Sequence, residues 1–85
     1  MTKLRRLLGD REPLVEVKPG HRFCRRRRDN VTEMATVVEL RAEINGIPHV
    51  RFELAYEERS IGRVHAGLRV LALGSFVETF AERVP

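Results

Sequence analysis

From Met34 to Leu73 apolar residues fall mainly on even positions and charged residues mainly on odd ones, through three successive segments. The even positions read Met34, Thr36, Val38, Leu40 and Ala42, then Val50, Phe52, Leu54 and Tyr56, then Val64, Ala66, Leu68 and Val70. Successive side chains of a strand point to opposite faces, so a period of two marks half-buried antiparallel strands. The pattern specifies a fold element and names no chemistry.

Parity constrains the turns. If both strands of a hairpin bury even residues, opposed residues must sum to an even number. A two-residue Asn45-Gly46 loop would pair Ile44 with Ile47 and break that rule, whereas a three-residue loop, Ile44-Asn45-Gly46, with Gly46 in the left-handed region, pairs Glu43 with Ile47 and keeps it. Leu40 then faces Val50, and Val38 faces Phe52. A second loop of the same form, Ser60-Ile61-Gly62, pairs Arg59 with Arg63 and sets Leu54 opposite Leu68 and Phe52 opposite Val70. The odd face, not used to build this register, places Glu39 opposite Arg51, Glu53 opposite Arg69 and Glu57 opposite His65. Opposed charges of this kind describe a solvated sheet face, on which His49 and His65 also fall.

At 85 residues the chain is long enough for one domain with a modest core. Residues 1–13 read as a helical turn (Leu4, Leu7, Leu8 on one face, Gly9 ending it) or as an arm. Residues 14–73 read as the sheet: a strand from Leu14 to Lys18, a Pro19-Gly20 turn, a strand from His21 to Arg27, an Asp29-Asn30 turn, then the three-stranded meander. Gly74 breaks the last strand, and Ser75-Phe76-Val77-Glu78 has the form of a capping box that starts a helix within 75–84. Phe76, Val77, Phe80 and Val84 are its apolar stripe, and Arg83 suits the negative end of its dipole. The expected fold is mainly β, with α+β as the alternative. It is a small, partly open antiparallel barrel of about five strands with a C-terminal helix and, as one option, a short N-terminal helix.

Charge is unevenly distributed. Residues 1–28 hold ten Lys or Arg against three acids and residues 29–85 hold six against nine, so +7 and −3 sum to the net +4. Much of the excess is Arg25, Arg26, Arg27 and Arg28, which with Arg22 form the candidate nucleic-acid contact, because guanidinium groups stay charged and bind phosphate in a fork. Only Phe23 lies near them as a stacking residue, and it is equally a core candidate. The competing readings are a docking surface for an acidic protein and a solvated basic edge that discourages aggregation.

Catalytic and metal chemistry find little support. His21 and Cys24, three apart on a strand, point to opposite faces, and no acid or amide is evidently placed to orient a histidine. His21, His49, His65 and one cysteine lack metal-ligand spacing, and no glycine-rich phosphate loop or other cofactor motif occurs. Cys24 alone makes no internal disulfide, no apolar run is long enough to span a bilayer, and the first ten residues lack the apolar core of a secretory signal, so the expected compartment is the cytoplasm.

KPGHRF at Lys18 to Phe23, MATVVEL, INGIPHVRFEL and the closing VLALGSF together resemble the small SH3-like or Tudor-like barrels over Leu14 to Phe80. The resemblance implies a binding role rather than catalysis. It departs from the usual pattern in two ways: the helix is expected after the last long strand rather than before it, and no aromatic cage is present. The family's ligand-binding aromatics therefore transfer to no residue here. The functional expectation is a binding or adaptor domain, either RNA- or ribosome-associated through the arginines, or a protein-interaction module whose partner is acidic or pairs at a sheet edge.

Overall fold

The computed structural model describes residues 15–43 and 46–85. The expected N-terminal helical turn lies outside them. Five strands form one antiparallel sheet: β1 (Arg22–Arg26), β2 (Val31–Glu43), β3 (Ile47–Glu58), β4 (Gly62–Ala72) and β5 (Glu82–Val84), in the order β4-β3-β2-β1-β5. A short helix, α1 (Leu73–Thr79), joins β4 to β5. The fold is thus mainly β, with an open sheet whose edges are β4 and β5.

The first hairpin has the expected register at its tip, where Glu43 opposes Ile47, Leu40 opposes Val50 and Glu39 opposes Arg51. Gly46 has a φ of 74°, in the left-handed region; the loop residues 44 and 45 are outside the described set. Val38 then bulges out of the ladder, so Phe52 opposes Val37 and not Val38. A bulge adds one residue to one strand and exchanges its faces beyond that point. Ala35 and Val37 consequently point into the core, Val38 is half exposed, and Glu33 is drawn inward with them.

The second hairpin departs from expectation altogether. Glu58 opposes Gly62 and Glu57 opposes Arg63, a register two residues short of the expected one, and an extra residue at Ala66 then restores one step, so Leu54 opposes Gly67, Phe52 opposes Arg69 and Glu53 opposes Leu68. Gly67 carries the bend with a φ of 95°, where a side chain would be strained. The net slip of one turns Leu68 and Val70 outward, contrary to the parity rule, and leaves them 51% and 49% exposed.

Two further expectations fail at the ends. Val15 to Lys18 form no strand, although Val17 packs against the core and Pro19-Gly20 makes the turn. The fifth strand comes from the other terminus: α1 ends at Thr79, and Glu82–Val84 pair with Arg22, Phe23 and Cys24 of β1. The helix therefore precedes the final strand. Ser75 lies inside α1, whose N-cap is Ala72, extended and without a side-chain cap. Packing displaced the capping box, because starting at Leu73 sets both Phe76 and Phe80 on the core and frees the last residues to satisfy the backbone of β1.

The core lies between the inner sheet face and α1. Phe76 is fully buried, its ring 5.4 Å from Phe23 of β1, 5.1 Å from Phe52 of β3 and 5.2 Å from Phe80. Replacing Phe76 with alanine should cost ~3–5 kcal/mol and leave the domain largely unfolded. Ser75→Ala should stay within ~0.5 kcal/mol of the parent, since it removes no cap. Urea titration of both variants checks this; a loss of about 1 kcal/mol for Ser75→Ala would restore the capping box.

Candidate functional site

Strand alternation splits the arginines. Arg22 and Arg26 share the outer face with Cys24, while Arg25 shares the inner face with Phe23, and Arg27 and Arg28 enter the turn to β2. The turn is fixed by Asp29, whose Oδ1 accepts from the N–H of Val31, and by Asn30 at a φ of 67°. Asparagine is among the few residues that tolerate this left-handed geometry. Folding thus scatters four consecutive cations over two faces and a turn.

Most of them are then matched by acids. Arg25 holds the Glu33 carboxylate at 2.8 Å and Arg27 holds its second oxygen at 3.4 Å, while Arg27 also reaches Asp29 at 2.7 Å. Glu33 is 7% exposed, and its burial is tolerable because both oxygens meet guanidinium groups. Arg26 lies 3.5 Å from Glu82 of β5, and Arg22 donates to the carbonyl of Pro85 at 3.1 Å. Of the five candidate residues only Arg28 makes no such contact among the described residues. Three carboxylates, Asp29, Glu33 and Glu82, lower the local charge of the cluster from five to two.

The structure adds one cation that sequence proximity did not suggest. Arg59, in the β3–β4 turn, lines the same shallow groove as Arg26 and Asn30. Asp29, Glu57 and Glu58 line it too, so the groove is electrostatically mixed.

A second surface is better defined. β4 pairs with β3 and, among the described residues, has no strand on its other side, and it runs for 11 residues. Its outward residues divide into Arg63 and His65 before the bulge at Ala66, and Leu68 and Val70 after it. Arg63 contacts Glu57 at 3.3 Å; Leu68 stands beside Glu53, and Val70 beside Arg51, which reaches Glu39 at 3.7 Å. Val64, on the inner side, is also half exposed. Sequence parity assigned Leu68 and Val70 to the core, and only Gly67, a glycine inside a strand pattern, signalled the bulge that exposes them.

The histidines stand apart. His21 Nδ1 accepts from the N–H of Lys18 at 3.3 Å, His49 Nδ1 lies 2.8 Å from the carbonyl of Ile47, and His65 sits on β4. Among the described residues no three His, Cys, Asp or Glu side chains are grouped to hold a metal ion, and no helix is long and apolar enough to cross a membrane. Buried Cys24 donates its thiol to Glu82 at 3.5 Å. Burial pushes the thiol above its ordinary pKa, and the hydrogen bond to Glu82 and the charge of that carboxylate push the same way against Arg26. The arginines next to Cys24 in the chain therefore do not make it reactive.

Compared with known proteins, the chain matches no family model, no curated protein and no solved structure. Its functional reading rests on the two surfaces alone.

The thiolate is the alkylated species, so at pH 8 iodoacetamide should modify Cys24 at least about tenfold more slowly in the folded chain than in urea. The raised thiol pKa also means that its contribution to stability is full below the unfolded value and is lost as pH rises through the folded one. Equal alkylation rates in the two states would contradict this environment.

Proposed function

We propose that this chain is a small binding domain whose main contact is with protein: it takes an extended segment of an acidic partner along the open edge of β4. The observation that carries this reading is the edge itself. Ten of its eleven residues have a ladder partner, on one side only among the described residues, and Val64, Leu68 and Val70 are about half exposed on it. Unpaired backbone N–H and C=O groups are a template for another strand, and exposed apolar side chains add burial to main-chain hydrogen bonds. The opposite edge is β5, three residues long, and offers far less.

Charge selects the occupant. The ionisable residues of β4 are Arg63, His65 and Arg69, with no acid among them. A second copy pairing edge to edge in the antiparallel sense would set Arg63 and His65 against Val70 and Leu68 and bring together two chains of net charge +4. An acidic segment is complementary.

Nucleic acid ranks second, favoured by one observation: Arg28 and Arg59, which make no ion pair among the described residues, occupy neighbouring turns at one end of the sheet. Their replacement by serine is the informative test, because changing Arg25 or Arg27 would also strip Glu33 of its partners.

Replacing Leu68 and Val70 together with lysine should leave the fold intact, since both are half exposed, and should abolish binding of any partner retained by the parent. Amide exchange along β4 should slow when that partner is bound. If partners instead survive L68K/V70K, are lost on R28S/R59S and dissociate steeply with salt, the phosphate reading replaces this one.

A further inference from the structure

From the order of side chains along β4 we infer a more specific partner. It is an extended segment of another protein that runs antiparallel to β4, with two alternate apolar residues followed by two alternate acidic ones. This inference rests on strand addition at β4 and deepens it by naming the ligand sequence.

The outer face of β4 is divided. Arg63 and His65 lie on one side of the bulge at Ala66 and Leu68 and Val70 on the other. The extra residue keeps all four on one face although His65 and Leu68 are three apart, an odd spacing that would otherwise send them to opposite faces. Arg63 is only partly satisfied by Glu57, at 3.3 Å with both side chains nearly half exposed, and His65 is exposed. Leu68 and Val70 are half exposed beside the polar residues Glu53 and Arg51 of β3, with their other flank open.

Antiparallel pairing is somewhat stronger per residue than parallel, and it places the N-terminal half of the incoming strand beside Val70 and Leu68 and its C-terminal half beside His65 and Arg63. Side chains directly opposed across a sheet interact most strongly with like for apolar pairs and with opposite charge for ionic pairs. The complementary strand is therefore apolar first and acidic second. A like copy of β4 would not satisfy this, because run antiparallel it sets Leu68 and Val70 where acids are required and Arg63 and His65 where apolar residues are.

The test uses an end-blocked, fluorescein-labelled peptide of sequence TVTVTETE, with TVTVTKTK and the reversed-order TETETVTV as comparisons, and reads fluorescence anisotropy against the intact chain at low salt. TVTVTETE should bind about threefold more tightly than TVTVTKTK, the effect of exchanging a favourable pair with Arg63 for an unfavourable one, with the second carboxylate set beside the imidazole of His65. It should also bind more tightly than TETETVTV, and His65→Glu should erase most of the preference over the lysine peptide without changing the far-ultraviolet spectrum. Equal binding of TVTVTETE and TETETVTV overturns the apolar-then-acidic order and leaves strand addition standing. Equal binding of the glutamate and lysine peptides overturns the acidic class. If none of the three peptides binds, or if all bind L68K/V70K as well as the parent, the edge is not the binding surface and both readings fall.

Discussion

The ring of Phe76 is the contact on which the other elements depend. It touches Phe23 of β1 and Phe52 of β3, which flank β2, so one side chain ties both halves of the sheet to α1. Strands two apart in a flat sheet lie roughly 10 Å from each other, and a single ring reaches both only where the sheet curls toward it. Phe80 extends the cluster, meeting Phe52 edge to face and Phe76 at a tilt. Seven helical residues with no side-chain cap would not persist alone, so the aromatic cluster holds the helix as much as the helix covers the cluster.

Curling has a cost in regularity, and the two bulges carry it. The extra residue at Val38 bends β2 near the point where β1 stops pairing with it, and the one at Ala66 bends β4 midway along its pairing with β3. Each reverses which parity faces the core. On β2 the reversal draws Glu33 inward, where Arg25 and Arg27 become structural partners of a buried carboxylate. On β4 it has the opposite consequence and expels Leu68 and Val70. The basic cluster is thereby partly spent inside the fold, and an apolar edge appears that a regular ladder would have buried.

The alternation of Val50, Phe52 and Leu54 made the meander legible, and the Gly46 turn fixed its first register for as far as the ladder stays regular. Parity is a global rule applied to a local quantity, so one extra residue defeats it, and nothing in VVEL marks Val38 as that residue. Gly67 was a visible signal for the second bulge, but its effect on register depends on the preceding loop, which closed one residue earlier than expected and so shifted the pairing by two. The C-terminal residues were misread for a different reason: local capping chemistry favoured a start at Ser75, and tertiary burial of two phenylalanines together with the unpaired edge of β1 outweighed it. The arginines were legible as a charge and illegible as a surface, since Glu82, which meets Arg26, is 56 residues away in the chain.

An exposed edge strand must also avoid promiscuous pairing, and β4 carries the usual defences: two arginines, a glycine and a bulge. These features do not argue against binding; they determine what can bind. The bulge breaks the edge into two short ladders, so a generic flat strand cannot run the full length in register. An antiparallel copy of the chain would set its own Arg63 and His65 against the apolar half and its own Leu68 and Val70 against the basic half. What remains compatible is a segment that brings its own acids to the basic half and matches the apolar half in spacing. The same features that keep the edge from aggregating thus act as its selectivity, because each excluded alternative is a strand of the wrong charge, length or register.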